Sequence, residues 1–193
     1  MLLIAFALAT MPVPLGRPVP TDPTNIGAFT AETRGMDLRA SLHLDTAGQP
    51  VACTVDPPAT PRLAKQVCAY LTARARYAPA RDASGSPVPA VVRLDLSMNR
   101  GGVAPAPLDF ALQVGAMPGA ATMAVADLIL TTDAGGRVTA CDVARSSGSA
   151  ALDRLGCRQL QAATLSPGLD RQQQPVAAVR QVSVGFTAAP VPR

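Results

Sequence analysis

The chain has 193 residues, a formal net charge of +4 and 3% aromatic residues, with no tryptophan. A chain of this length folds as one domain or two. The basic balance would suit nucleic acid, but the arginines are scattered and no aromatic side chains lie between them to stack on bases. We therefore predict no nucleic-acid partner.

The N-terminal residues 1–15 begin with an uninterrupted apolar run and contain Ala7-Leu8-Ala9, a small-residue cleavage site. This run is typical of a secretory signal and is too short to span a bilayer as a helix. A secretory signal normally has basic residues before its apolar run, and this run has none. The alternative is therefore an apolar N-terminus without a targeting role. We predict a periplasmic or secreted protein that is cleaved after about Ala9 and has no stable membrane span.

The first predicted folded unit spans residues 36–98, after a Pro- and Thr-rich linker at 16–35. Strict alternation of apolar and polar residues predicts its strands, and a hydroxyl residue followed by proline marks the start of its helix. The predicted elements are strands at 38–45 and 51–55, a helix from Thr60 to about Ala75, a turn at 81–87 and a strand at 91–98.

The second predicted unit spans residues 123–187 and repeats the order of the first. Between them, residues 99–122 are a predicted linker that contains a strand at 108–114, which we expect to form a hairpin with residues 91–98. The predicted elements are strands at 123–132, 137–144 and 177–186 and a helix at 150–163, followed by a loose tail at 188–193.

The two units also resemble each other in sequence. Residues 133–157 read DAGGRVTACDVARSSGSAALDRLGC, and residues 45–68 read DTAGQPVACTVDPPATPRLAKQVC. An internal repeat of this kind fixes the organisation of the fold before any element is assigned. The sequence therefore predicts an α+β protein of two tandem β-β-α-β modules, each a helix packed on a small antiparallel sheet.

The second unit, from about Val125 to Phe186, resembles the C-terminal domain of the TonB energy-transducer family. The resemblance is carried by an ordered set: an apolar strand, D-x-x-G-x-V, R-S-S-G-S, a helix that opens A-L-D, and S-P before a last alternating strand. The first unit keeps this frame but has Asp56-Pro57-Pro58-Ala59 in place of the Ser-Ser-Gly element. The resemblance implies a periplasmic domain that binds an extended segment of an outer-membrane transporter along its last strand.

The docking edge that the resemblance implies consists of Val179, Arg180, Gln181, Val182, Ser183, Val184, Gly185 and Phe186, with residues 91–98 as the counterpart in the first unit. We expect Val182, Val184 and Phe186 to face the helix and to hold the strand in register. Arg180 and Gln181 would then contact the incoming peptide. The family's His-bearing membrane anchor and long Pro-rich spacer have no match here, so we expect partner binding without energy transduction.

The four cysteines suit a metal site, a redox pair or disulfides. Zinc knuckles place two residues between ligands, and both this spacing and a C-x-x-C motif are absent from the sequence. In the predicted modules each pair joins the second strand to the helix. We therefore favour the disulfides Cys53–Cys68 and Cys141–Cys157, with buried free thiols as the alternative.

Three polar residues, Ser41, His43 and Asp45, have the side chains of a nucleophilic triad. The period of two along a strand places successive members about 7 Å apart, whereas a triad needs hydrogen-bond contact. The favoured interpretation is one solvated strand face. A polar pocket that joins His43 to a carboxylate would support the alternative, a small periplasmic enzyme of unknown reaction.

The segment Arg145–Ser149 precedes the second predicted helix and is a candidate anion site. Capping is the favoured interpretation, because Ser149 suits the N-cap and Asp153 complements the helix dipole. For each candidate catalytic, cofactor or metal motif, the structural interpretation is favoured over the functional one. We therefore predict an interaction module and no enzyme, with a purely structural duplicated domain as a further alternative.

Overall fold

A computed structural model of the protein describes residues 37–56, 59–97, 108–119 and 121–189. The predicted signal segment with its cleavage site near Ala9 and the linker at 16–35 lie outside the described residues. So do residues 36, 57–58 and 98 of the first predicted unit, 99–107 and 120 of the second linker, and 190–193 of the tail. No helix in the described ranges is long and apolar enough to cross a membrane.

The described chain is an α+β structure, which confirms the predicted class. Its elements are β1 (Asp37–Leu44), β2 (Pro50–Val55), α1 (Pro61–Arg74), β3 (Ala80–Arg81), β4 (Pro87–Val88), β5 (Ala90–Ser97), β6 (Phe110–Val114), β7 (Met123–Thr132), β8 (Val138–Arg145), α2 (Ala150–Gln161), β9 (Gly168–Leu169), β10 (Pro175–Val176) and β11 (Ala178–Ala188). The longer elements follow the predicted ranges closely. The short hairpins β3–β4 and β9–β10 were not predicted, because two-residue strands are too short for any periodicity.

The principal strands form one mixed seven-stranded sheet in the order β2-β1-β5-β11-β7-β8, to which β6 adds by pairing with β11. Strands β1, β2 and β5 pair antiparallel, and so do β7, β8 and β11. The two groups join where β5 and β11 run parallel, with Val179 beside Ala90 and Arg180 beside Val91. The prediction of two separate small sheets is therefore wrong. Pairing of β5 with β11 satisfies backbone groups that two separate sheets would leave open.

The two helices lie on opposite faces of this sheet. Val179 belongs to the core under α1, whereas Val182 belongs to the core under α2. Residues three positions apart in a strand point to opposite faces. Each half of the sheet thus has one face covered by its own helix, and the apolar stripes that cover them are Leu63, Val67 and Leu71 of α1 and Leu152, Gly156 and Leu160 of α2.

Strand β6 does not form the predicted hairpin with residues 91–98. It runs parallel to β11, from Phe110 beside Val184 to Val114 beside Ala188. The registered pairing of β5 with β11 ends at Arg180, and β6 occupies the edge of β11 beyond that point. The Asp109 N–H donates to the Ser183 carbonyl at 2.9 Å at the start of this contact.

The same aspartate turn closes every hairpin in the described part of the chain. In each turn one carboxylate oxygen accepts the N–H groups of the residues two and four positions later, at 2.8–3.0 Å; the aspartates are Asp45, Asp82, Asp133 and Asp170. The residue three positions later has a positive φ; these residues are Gly48, Gly85, Gly136 and Gln173. A side-chain carboxylate thus satisfies turn N–H groups that the ladder leaves unpaired.

Candidate functional site

The predicted docking strand is at the centre of the sheet. β7 pairs with β11 from Ala178 to Thr187 on one side, and β5 and β6 pair with it on the other. Between those two partners, the Ser183 N–H donates to the Asp109 carboxylate at 2.7 Å. The prediction that residues 179–186 form an exposed edge is wrong, because both sides of the strand already have backbone or carboxylate partners.

The side chains of this strand are placed partly as predicted. Val182, Val184 and Phe186 are buried against α2, which confirms that they face the helix. Arg180 lies on the same face and donates from Nη2 to the Ser166 carbonyl, and its burial lowers the pKa of the guanidinium. It is therefore not available to an incoming peptide, whereas Gln181 is exposed. Val179 and Gly185 are buried as well, and Ser183 donates its hydroxyl to Asp127 at 2.7 Å.

In the described part of the seven-stranded sheet, the strands that pair with one neighbour along their whole length are β2, β6 and β8, and β5 pairs with β1 alone after Val91. β8 has 8 residues, against 6 in β2 and 5 in β6. Most of its side chains after Val138 are exposed, and Val143 is a large hydrophobic residue with 39% exposure. β8 therefore offers the longest row of unpaired backbone groups and the least buried side chains.

Disulfides tie two of these edges to the helices. Cys53 of β2 is bonded to Cys68 of α1, and Cys141 of β8 is bonded to Cys157 of α2. Both predicted pairings are confirmed. Each bridge links a strand at the edge of the sheet to the helix that covers it, so the position of the edge relative to the core is fixed covalently.

The segment before α2 is a capping structure, as predicted. The Ser149 hydroxyl accepts the Leu152 N–H at 3.5 Å, and Asp153 accepts hydrogen bonds from the Ser146 hydroxyl at 2.6 Å and the Ser147 N–H at 2.9 Å. Burial raises the pKa of Asp153, but the hydrogen bonds from the two serines outweigh it and leave that pKa below its usual value. The helix's own carboxylate thus occupies the position that an external anion would take.

His43 lies at the contact between the two halves of the sheet. Its side chain is buried, and its Nδ1 accepts the Leu169 N–H from β9 at 3.0 Å. Burial and the nearby Arg180 lower the pKa of His43 to about 4. The Asp45 carboxylate pairs with Arg171 at 3.0 Å rather than with His43. The geometry is that of a neutral histidine in an interface, and it does not join Ser41, His43 and Asp45 as a triad. The prediction that these residues form one solvated strand face is wrong for His43, because the β9 hairpin covers that side chain.

The β8 edge was not singled out from the sequence, although a signal is present. In residues 138–145 polar and apolar positions do not alternate strictly, in contrast to β1 and β5. Weak alternation is expected where neither face of a strand is fully covered, as at the border of a sheet.

Comparison of the chain with protein-family models, curated proteins and solved structures returned no match. The features of the molecule that bear on function are therefore the geometry of the sheet edges, the two disulfides and the interface around His43.

Proposed function

We propose that the protein is an extracytoplasmic interaction module that binds an extended segment of a partner protein by strand addition along β8. The observation that carries the proposal is an open edge strand with exposed side chains that is covalently fixed to the helix behind it. Unpaired N–H and C=O groups on such an edge pair with an extended peptide, and the exposed side chains select it. The two disulfides support an oxidising compartment.

The disulfide to α2 favours binding because it makes the edge rigid. Association is weakened whenever a flexible element must be ordered, so an edge that is already held in place binds with a smaller entropic penalty. In the middle of β8 the register with β7 is regular from Ala140 to Val143, and it shifts on both sides of this stretch. Shifts of this kind twist an edge and limit how far a partner can pair. A short segment centred on residues 140–143 is therefore the expected occupant.

We infer further that the two halves are copies of one module. The order strand, strand, helix, short hairpin, strand occurs in both, and the second strand is bridged to the helix in both. On this interpretation the TonB-like resemblance describes a single module. Because the two copies are joined through β5 and β11, the last strand of the second copy is covered, and its open edge is that of its second strand, β8. An outer-membrane transporter segment is one partner of the proposed kind.

Two adjacent proline substitutions in β8 test the proposal. Along an edge strand the N–H groups alternate between the neighbouring strand and solvent, so one of Asp142→Pro and Val143→Pro removes a ladder bond and the other removes only an outward donor. The variant that retains the parent Tm has lost an outward donor. We expect it to bind a fluorescent peptide of alternating Val and Thr, with Asp at both ends, about tenfold more weakly than the parent.

Asp142→Ala and Val143→Ala are the matched controls, since both retain every backbone donor and should bind like the parent apart from small side-chain effects. Undiminished binding by the folded proline variant would contradict the proposal. So would peptide-induced amide shifts that appear in β2 or β6 instead of β8.

A purely structural role is the second candidate. It is favoured by the position of β11, whose burial between partners on both sides is what a scaffold with masked edges requires. On this candidate no extended peptide perturbs the amide signals of β8 at millimolar concentration.

A further inference from the structure

We infer that the partner segment is acidic where it flanks the strand that pairs with β8. This inference rests on the proposed strand addition and adds the chemistry of the partner. It is carried by three exposed arginines around β8: Arg137, Arg154 and Arg158.

The arginines border the edge at two levels. Arg137 immediately precedes β8. Arg154 lies three residues before Cys157 on α2, so it shares the side of the helix on which Cys157 is bonded to Cys141 of β8. Arg158 lies four residues after Arg154 and therefore next to it on the exposed side of α2, turned further from Cys157. At Arg137 the edge is occupied by the chain after α2, through a bridge between Arg137 and Thr164 and a hydrogen bond from the Leu165 N–H to the Gly136 carbonyl at 2.9 Å. A peptide on the outer edge of β8 after Val138 would thus lie beside a basic helix side and have Arg137 next to one of its ends.

The charge of these arginines is not neutralised within the described part of the chain. None of the three forms an ion pair there, whereas Arg145 pairs with Asp127 at 2.9 Å. Arg154 lowers the pKa of Asp153 at a distance, but that carboxylate is buried and bonded to Ser146 and Ser147. On β8 itself Asp142 is the acidic residue. The surroundings of the edge are therefore positive.

Exposed charges of this kind determine selectivity more than total affinity. A single exposed pair contributes little, but several arginines of one sign attract acidic segments, slow the approach of basic ones, and act less at high salt. The backbone ladder supplies binding that is independent of sequence, and the arginines discriminate between segments that fit it equally well.

The experiment uses three peptides that share one alternating Val–Thr centre and differ only in flanks of Asp, Ser or Lys. We expect the Asp-flanked peptide to bind the intact protein about tenfold more tightly than the Ser-flanked one, the Lys-flanked peptide to bind more weakly still, and the difference to shrink in 0.5 M salt. Equal binding of the Asp- and Ser-flanked peptides at β8 would overturn this inference and leave the strand-addition proposal intact. If no peptide shifts the amide signals of β8, the proposed function itself fails.

A matched pair of charge reversals locates the effect. Lys65 of α1 is exposed and lies three residues before Cys68, as Arg154 does before Cys157. Arg154→Glu and Lys65→Glu therefore change the net charge equally at corresponding places in the two halves. We expect Arg154→Glu to weaken the Asp-flanked peptide about tenfold and Lys65→Glu to leave its affinity unchanged. An equal loss in both variants would show a general effect of net charge and overturn the inference.

Discussion

The helices of the two halves begin differently, although each is bridged to the strand at its edge of the sheet. α1 begins with Thr60, whose hydroxyl accepts the Leu63 N–H at 3.3 Å, followed by Pro61 and no acidic residue in the first turn. α2 begins with Ser149 and draws Asp153 into hydrogen bonds with two preceding serines. The unpaired N–H groups at the start of a helix can be satisfied by several kinds of residue at similar free energy. The residues at this position can therefore differ between the two halves.

The hairpin turns, in contrast, are nearly the same in both halves. A Cβ on Gly48 would overlap the Tyr77 carbonyl oxygen, and a Cβ on Gly136 would overlap the Leu165 carbonyl oxygen. Both positions also have a left-handed φ. A turn that needs positive φ and a close backbone approach admits glycine only. The two halves thus share residues where the geometry admits one solution and differ where it admits several.

Removal of the disulfides should have the largest effect. Cys53→Ala with Cys68→Ala, and Cys141→Ala with Cys157→Ala, open loops with sequence separations of 15 and 16 residues. The chain-entropy model gives about 3 kcal/mol for each. Urea unfolding of both double variants checks this. If one double variant unfolds with the same free energy as the parent, packing alone holds that helix to the edge strand, and the two disulfides are not equivalent in their contribution to stability.

Alanine at two turn glycines should separate close packing from backbone conformation. Gly85 has a positive φ but nothing near its Cβ position, so Gly85→Ala should lower the free energy of unfolding by about 1 kcal/mol. Gly136→Ala adds overlap with the Leu165 carbonyl and should cost about 2 kcal/mol more. Thermal or urea unfolding gives both values. Equal costs would show that the loop after α2 moves freely away from the turn.

His43 should make one half sensitive to acid. Burial and Arg180 lower its pKa to about 4, against an unfolded value of about 6.5, so the folded state resists protonation. The resulting stability is complete above about pH 6.5 and is lost as the pH falls toward 4, with a total of about 2 kcal/mol after allowance for solvent screening.

The variant His43→Gln keeps an oxygen that can accept the Leu169 N–H and cannot titrate in this range. It should unfold with a shallower dependence on pH between 6.5 and 4, which urea titrations at several pH values will show. An unchanged slope would assign the acid sensitivity to carboxylates elsewhere. The second half has Thr131 and no histidine at the corresponding position of β7, so no counterpart effect is expected there.

The smallest change in stability is expected at Gln173, which stands where the other three aspartate turns have glycine. Gln173 has φ 60°, the only positive φ at a non-glycine position in the described residues. Gln173→Gly relieves that conformation and should raise the free energy of unfolding by up to about 1 kcal/mol. A lower Tm than the parent's would show that the Gln173 side chain contributes a contact worth more than the strain.

Much of the secondary structure follows from the sequence because strand alternation, helix capping and cysteine spacing depend on residues that are close together in the chain. Alternation located β1 and β5, Thr60-Pro61 and Ser149 located the helix starts, and the repeated cysteine spacing gave both disulfides. The joining of the two halves was not predictable in this way. It depends on parallel pairing between β5 and β11, which are far apart in the chain and carry no short-range signal for each other.

The same reason explains the error about the docking site. Residues 178–188 alternate well, which identifies a strand but does not reveal whether its second side is open. Part of the second side of this strand is covered by β6, a strand of five residues. The partner of β6 is determined by three-dimensional contacts such as that of Asp109 with Ser183. The pKa of His43 was equally inaccessible, because the hairpin that buries it comes from the other half of the chain.

Amide hydrogen–deuterium exchange, measured with and without the Asp-flanked peptide, reports both on β11 as the interior of one continuous sheet and on β8 as its receptive edge. We expect the amides of residues 181–186 to be among the slowest in the free protein, and peptide to slow exchange only in residues 139–144. Fast exchange of 181–186 in the free protein, or protection by peptide in β11 rather than β8, would contradict the account.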